Sequence, residues 1–380
     1  MSDLYALFDT LDDDQRRGWL HLRQVLAERI APIADEAWLE GRFPMEAVGV
    51  FQDLAPTLCP EPFVWPPRDP LFAGLIKLEL GRVDPSMASF FGVHWGLATA
   101  SIAALGSPEQ QARWVEPMRR FERIGSFALS EPLSGSDAAM GLRCVARPEG
   151  DDWVLTGQKK WSGNATFADV LVIVARTPEG MGGFLVERDS PGLRLERIND
   201  KMAKRAVENV VVHLDGARAE RLPGLKSFKD VARTLAFGRY AVAWEATGIA
   251  MGAYEAALKY AQERQQFGRS IASFQLVQDK LVRMAAELTS MLCVCFRLAD
   301  LVADGGLDAA RPALAKVICA GGMRRVVALA REVLGGNGIC LEFGVARLFS
   351  DAEAVYSYEG TQDMNTLIVG RALTGHSAFA

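Results

Sequence analysis

The amino-acid sequence predicts a mainly α-helical chain with a central all-β domain. Three observations carry this. Apolar residues recur at helical spacing through the first third and again from Phe228 onward. Between these regions lie short β-branched runs separated by turn-forming segments. The length, 380 residues, is more than one ordinary core can use, so two or three domains are expected. The shifts in pattern place a helical domain at 1–123, a β domain at 124–225 and a helical bundle at 226–380.

Asp12 to Ala31 carries Leu20, Val25, Leu26 and Ile30 with charges between them, a helix-period pattern. PEPFVWPPRDP, Pro60 to Pro70, is too proline-rich for a helix interior and reads as a loop. Leu71 to Arg82 is helical again. Ser107, Pro108 and Glu109 supply the capping serine, first-turn proline and early acid of a helix start. From Ile124 the strand-like runs are WVLTG (153–157), VLVIVAR (170–176), GFLVE (183–187) and VVVHL (210–214). RPEGDD, TPEGMGG, RDSPG and DGA separate them, so a barrel or sandwich is predicted. Long helices follow over Arg239 to Arg264, Ser273 to Ala303 and Ala309 to Leu334. At about 1.5 Å per residue they are long enough for a bundle. Gly335-Gly336-Asn337-Gly338 follows a helix and reads as its stop.

Apolar residues make up 49% and charged residues 23%, the balance of a globular rather than a disordered chain. The net charge of −5 gives no support to nucleic-acid binding. His21, His94, His213 and His376 are scattered, and the six cysteines include no CxxC, so neither a metal centre nor a disulfide framework is supported. Cys293 and Cys295 would point in different directions on a helix and read as core. Met1 to Thr10 lacks the basic start of a secretory signal, and HSAFA is not a peroxisomal address. No stretch is expected to approach the roughly 18 apolar residues needed to cross a bilayer. The default expectation is a reduced, cytoplasmic protein.

Four segments could carry chemistry. In VYSYEGTQDMNTL, Glu359 stands between Tyr358 and Gly360, and Thr361 could cap the next helix. Apolar surroundings would raise its pKa towards the range of a general base; otherwise it is an ordinary acid at a helix start. SFALSEPLSGSDAAM offers hydroxyls and backbone N–H groups to a polar planar ligand, or simply connects into the β domain. In KKWSGNATFADV, Trp161 before Ser162 and Gly163 could stack on a ring system or cover the β core. In ERQQFG, Arg264 could meet a phosphate and Phe267 a flat heterocycle, or the segment is a charged helix end.

Their order and spacing are more specific than any one of them. FALSEPLSGSD, KKWSGN, RQQFG with Gln275 beyond it, EVLGGNG and YEGT together resemble the acyl-CoA dehydrogenases over almost the whole chain. The separation of Gly338 and Glu359 is similar to that in the glutaryl-CoA dehydrogenase branch. The resemblance implies an N-terminal helical domain, a middle β-barrel and a C-terminal four-helix bundle.

It also implies FAD-dependent α,β-dehydrogenation of an acyl-CoA thioester to the trans-2-enoyl product. Glu359 would take the α-proton as the β-hydrogen leaves as hydride for flavin N5. Phe127, Leu129 and Ser130 would contact FAD from one loop, and Trp161, Ser162 and Gly163 from another. Thr361 and Asp363 would follow the base on the cofactor side. Arg264, Phe267 and Gln275, with Glu332, Val333, Leu334, Gly335 and Gly336, would serve the FAD of a neighbouring subunit in a homotetramer. Ser136, Arg239, Tyr358 and Gly360 would meet substrate, with Gly360 keeping the chain open to it. Electrons would pass to an electron-transfer flavoprotein.

Two departures qualify the resemblance. Gly81 and Ala88 stand where glutaryl-CoA dehydrogenases carry a glutamate and the arginine that pairs with the distal carboxylate. Burying that carboxylate unpaired is unfavourable, so a short or medium uncharged acyl chain is expected. Bulk at Phe90, Phe91 and Trp95 fits a short pocket, or is core. Gly163 replaces the usual threonine, and WSGN, TFADVL and YEGTQDMNTL resemble plant short-chain acyl-CoA oxidases. The alternative is therefore an oxidase that passes electrons to O2 and forms H2O2. A non-catalytic scaffold of the same fold is a remote third reading.

Overall fold

The computed structural model describes residues 3–150 and 152–378. Met1, Ser2, Asp151, Phe379 and Ala380 lie outside them, and with them the ends of the signal and address segments and part of the RPEGDD turn.

Seven helices come first: α1 (Asp13–Arg29), α2 (Ala31–Glu40), α3 (Glu46–Leu58), α4 (Pro70–Val83), α5 (Pro85–Phe91), α6 (Ala100–Leu105) and α7 (Pro108–Arg119). Their starts follow local chemistry. Asp12 accepts from the Gln15 amide at 2.8 Å while Gln15 reaches back to the Asp12 amide at 3.2 Å, a reciprocal capping box. Ser107 and Gln110 form another at α7, as the serine and proline predict. Gln110 also donates to the Arg221 carbonyl at 2.9 Å, which ties this helix start to the β domain.

The β domain contains β1 (Gly125–Ala128), a short α8 (Ala138–Gly141), β2 (Val145–Glu149), β3 (Asp152–Ser162), β4 (Val170–Thr177), β5 (Gly180–Glu187), β6 (Leu193–Arg197) and β7 (Val210–Leu222). The pairings β4–β5, β5–β7, β7–β3, β3–β2 and β2–β4 close on themselves, so the module is a barrel, with β1 and β6 on its rim. VLVIVAR lies on β4, where six successive residues are buried.

The bundle follows: α9 (Phe228–Glu263), a hairpin of β8 (Gln265–Gln266) and β9 (Arg269–Ser270), α10 (Gln275–Ala303), α11 (Ala310–Val333), α12 (Val345–Ser357) and α13 (Gln362–Thr374). α9 begins well before the predicted Arg239, because Gly238 is not a break but lies inside the helix. Gly335, at φ 59, ends α11 as expected. Cys295 is buried in the core with Cys319.

The expectation that no apolar run reaches bilayer length is corrected. Pro85–Leu105 is a 21-residue helical stretch of mean hydropathy 1.3. Its apolar character serves the interior: 56% of that window is buried within the protein. Residues 92–99 of this stretch wind as a wider π-helical turn. There, His94 accepts from the Gly125 amide at Nδ1 (3.0 Å) and donates from Nε2 to the Met118 carbonyl (2.9 Å), joining the stretch to β1 and α7.

α4 packs against α9 through small residues. A Cβ at Gly81 would stand 2.5 Å from the Glu245 carbonyl oxygen, and one at Gly248 would stand 2.0 Å from that of Leu78. Gly74 meets the face of the buried Trp244. The two backbones therefore approach as closely as helices can.

Two outcomes follow. Gly248→Ala should cost about 1–3 kcal/mol by forcing α4 and α9 apart, read as a lower midpoint in denaturant unfolding. Burial holds His94 neutral, with its pKa lowered from 6.5 to about 4. The folded state thus binds fewer protons than the unfolded one between these values. Its contribution is complete above pH 6.5 and lost as pH falls to 4, about 3 kcal/mol in all. Unfolding free energies of wild type and His94→Gln across this window should diverge by that amount.

Candidate active site

The segment between α12 and α13 turns through two left-handed residues, Glu359 at φ 53 and Gly360 at φ 81. A left-handed glutamate is strained by about 1 kcal/mol or more, so the surroundings must hold it. Lys316 on α11 donates to the Tyr356 and Gly360 carbonyls at 2.8 and 2.9 Å. Asn365 donates to the carbonyls of Gly360 and Thr361 at 2.9 and 3.0 Å. Thr361 caps α13 by accepting from the Met364 amide at 3.2 Å, as its position predicts. Besides its left-handed φ, Gly360 has a close neighbour: a Cβ there would come 3.0 Å from the Asn365 side-chain nitrogen.

The Glu359 carboxylate lies against Gly238 on α9. A Cβ at 238 would sit 2.6 Å from Oε2. Oε2 is shut from solvent and has no hydrogen-bond partner among the described residues. Burial raises the Glu359 pKa, opposed by Arg239, Lys316 and Lys77 and reinforced by Glu245. Lys316 is itself lowered to about 8, first by burial, with Glu359 opposing. Arg239 is half-buried, and its Nε is another buried atom without a partner. A shielded carboxylate of raised pKa, flanked by cations, can accept a proton from a weakly acidic carbon.

Beside it lies an ionic cluster that motif reading missed. Tyr358 donates to Glu245 Oε1 at 2.6 Å. Lys204 donates to the same oxygen and, at 2.7 Å, to the Tyr358 hydroxyl. Lys77 pairs with Glu245 Oε2 at 2.8 Å and donates to the Ala88 carbonyl at 2.6 Å. Lys204 also reaches Ser89 Oγ at 2.7 Å. Burial alone would raise the Glu245 pKa, but the two lysines hold it at about 2. Lys77, Lys204 and Glu245 carry no local signal of this; only the fold brings the three positions together.

The two candidate cofactor loops are bound to each other. The Lys160 amide donates to the Ser130 carbonyl at 2.8 Å, and Ser126 Oγ donates to the Gly163 carbonyl at 2.7 Å. Lys159, fully buried, pairs with Glu131 at 2.8 Å and donates to the Leu129 carbonyl at 3.0 Å. Glu131 accepts the Arg143 and Cys144 amides at 2.7 and 3.0 Å. Phe127 is buried, Leu129 and Ser130 half-buried, and Ser162 Oγ is buried without a partner among the described residues. Trp161, at φ 72, presents an indole that is 53% exposed. A Cβ at Gly163 would meet Val207 and Val93 at 3.5 Å, ordinary contacts, so there is room for a side chain. A ring face, an orphan hydroxyl and an open glycine fit a flat polar cofactor such as FAD.

The stretch from 198 to 209 lies between loop and Glu359: Lys204 grips Tyr358, Val207 faces the space a Cβ at Gly163 would fill, and Asn209 donates to the Trp161 carbonyl at 3.0 Å. Ser136 is exposed in the turn before α8, and Thr361 and Asp363 are exposed at the start of α13.

The remaining residues gather elsewhere. Arg264, Phe267 and Gln275 sit at the hairpin joining α9 to α10, where Phe267 is 93% exposed at φ 52. Glu332 pairs with Lys280 at 2.6 Å, and Asn337 donates to the Tyr260 hydroxyl at 3.0 Å, bringing Gly335 and Gly336 to the same end, while Val333 and Leu334 are buried beneath. Glu332 lies roughly 24 Å along α11 from Lys316 at about 1.5 Å per residue. One chain does not join this group to Glu359.

Residues 12–122, 126–217 and 228–374 match the family models described as the N-terminal, middle and C-terminal domains of acyl-CoA dehydrogenase. The chain is 33% identical over 359 residues to the short-chain specific acyl-CoA dehydrogenase of Bos taurus, covering 91% of this chain and 87% of the relative. A glutaryl-CoA dehydrogenase structure from Mycobacterium smegmatis superposes with a TM-score of 0.94 at 36% identity, over 100% of this chain and 99% of that one. Another from that organism, in complex with FADH2, gives 0.93 at 31% identity over 98% of each chain.

Lys159→Met would leave the Glu131 carboxylate buried without its cation. It should cost about 3–5 kcal/mol in denaturant unfolding and speed hydrogen exchange at the Lys160 amide.

Proposed function

The chain belongs to the acyl-CoA dehydrogenase family of FAD-dependent oxidoreductases, and on that premise we propose that Glu359 is the base that removes the α-proton of a short or medium acyl-CoA without a distal charge. The observation that carries this is the Glu359 carboxylate itself: shielded, unpartnered at Oε2, and held in a left-handed turn against Gly238.

The chain's own residues supply four things. Lys316 and Asn365 fix the carbonyls around Glu359, so the carboxylate is positioned before substrate arrives. Burial keeps its proton affinity high enough to take a carbon-bound proton, and Arg239 and Lys316 stabilise the charge left in the pocket. Phe127, Leu129, Ser130, Trp161, Ser162 and Gly163 would hold FAD, with Thr361 and Asp363 near by; bound there, FAD supplies the two-electron oxidation that no side chain can. Ser136, Arg239, Tyr358 and Gly360 would meet the substrate.

Two features support an uncharged, short chain. Lys77 and Lys204 stand at Ala88 and Ser89 but are held by Glu245 and by backbone carbonyls, and Ala88 itself offers no cation to a distal carboxylate. Trp65 packs on both Trp95 and Phe237, the neighbour of Gly238, and closes that side with aromatic bulk. Phe90 and Phe91 belong to the interior. Exposed Phe267, far from Glu359 on its own chain, supports completion of each site by a neighbour in a homotetramer. An electron-transfer flavoprotein is the proposed acceptor. The room at Gly163 favours a second reading, an oxidase in which O2 reaches the flavin edge.

Purified wild type should be yellow and bleach anaerobically with butyryl-CoA. Glu359→Gln should keep the flavin and lose about 10²–10⁴ in turnover. An acyl-length series should favour short or medium chains over glutaryl-CoA. Stoichiometric peroxide under air would select the oxidase reading; undiminished turnover by Glu359→Gln, or preference for glutaryl-CoA, would overturn the proposal.

A further inference from the structure

We propose that Glu245 is a positioning residue for Glu359, acting through its grip on Tyr358 and through the charge balance it keeps between two buried lysines. This rests on Glu359 being the base. Glu245, Lys77 and Lys204 are 1%, 5% and 4% exposed, and the three side chains come from α9, α4 and the stretch before β7. Glu245 lies two helical turns from Gly238, on the same face of α9. Its carboxylate takes Lys77 on one oxygen and Lys204 with the Tyr358 hydroxyl on the other.

The lysines in turn hold backbone: Lys77 the Ala88 carbonyl at 2.6 Å and Lys204 the Pro85 carbonyl at 2.7 Å. α4, α5, α9 and the loop carrying Lys204 are thereby locked around Tyr358, the residue that enters the left-handed turn at Glu359. A buried ion cluster is a poor way to gain stability compared with apolar packing. Here it does something packing cannot: two lysines and one glutamate place one net positive charge beside the base. The charged groups facing Glu359 are Arg239 and Glu245 from α9, Lys316 from α11 and Lys77 from α4. Lys77 favours the ionised carboxylate and Glu245 opposes it, so the pair sets the local potential while Tyr358 fixes the geometry.

The test is the acid limb of kcat/KM against pH with butyryl-CoA on the holoenzyme, since that limb reports the base in the free enzyme. Lys77→Met removes a stabilising cation, so the limb should move up by about 0.5–1 pH unit. Glu245→Gln removes an opposing anion, so it should move down by a similar amount. The double variant E245Q/K77M restores one net positive charge and should return the limb to its wild-type position. Thermal unfolding and flavin absorbance establish that each variant is folded. Should E245Q not fold, the upward shift in K77M and its reversal in the double variant decide. Shifts of the same sign, or an unmoved limb in K77M, would overturn the role of Glu245. An active Glu359→Gln enzyme would instead remove the base itself, whereas inactive Glu359→Gln with an unmoved K77M limb would leave the base and remove only this inference.

Discussion

The close crossing of α4 and α9 is the constraint on which the site depends. Glycines at 74, 81 and 248 let the two backbones touch, and a Cβ at 81 or 248 would enter a carbonyl of the other helix. At that separation Lys77 on α4 reaches Glu245 on α9. The same face of α9 offers Gly238 to the Glu359 carboxylate. Gly81 is thus more than a missing glutamate: no longer side chain could stand there without moving a helix.

Buried lysines recur as the fastening device. Lys77, Lys159, Lys204 and Lys316 each send an ammonium to backbone carbonyls beside the site. A compact head with three donors on a flexible stem can bridge carbonyls from different elements, which the planar guanidinium does less readily. Three of the four also have a carboxylate close at hand, Glu245 or Glu131 by direct pairing. Lys316 has only the more distant Glu359, and burial lowers its pKa to about 8.

How much of this was legible follows from how local each signal is. VLVIVAR showed as a strand because β4 is buried on both faces, whereas β6 is only five residues long and its two half-buried leucines alternate with exposed charges too briefly to stand out. The caps at Ser107 and Thr361 were legible because capping is decided within four residues. α9 begins at Phe228, where helical patterning resumes, rather than at Arg239; the small size of Gly238 inside it answers to Glu359, more than a hundred positions away. A local rule broken inside a long helix marked the site. The segments that suggested the family contain Glu359 and both cofactor loops. They contain none of Lys77, Lys204 or Glu245, whose meeting is a product of tertiary structure alone.

Gly163 and Gly238 look alike in sequence and differ in what they allow. At 238 the carboxylate of Glu359 already occupies the place of a methyl group, so any added side chain would push that carboxylate aside. At 163 the nearest neighbours of an added Cβ are two valines at ordinary contact distance. One position is thus frozen by its chemistry and the other is free to drift. A single substitution at 163 can therefore reshape the wall beside Val93 and Val207 without displacing the Glu359 carboxylate.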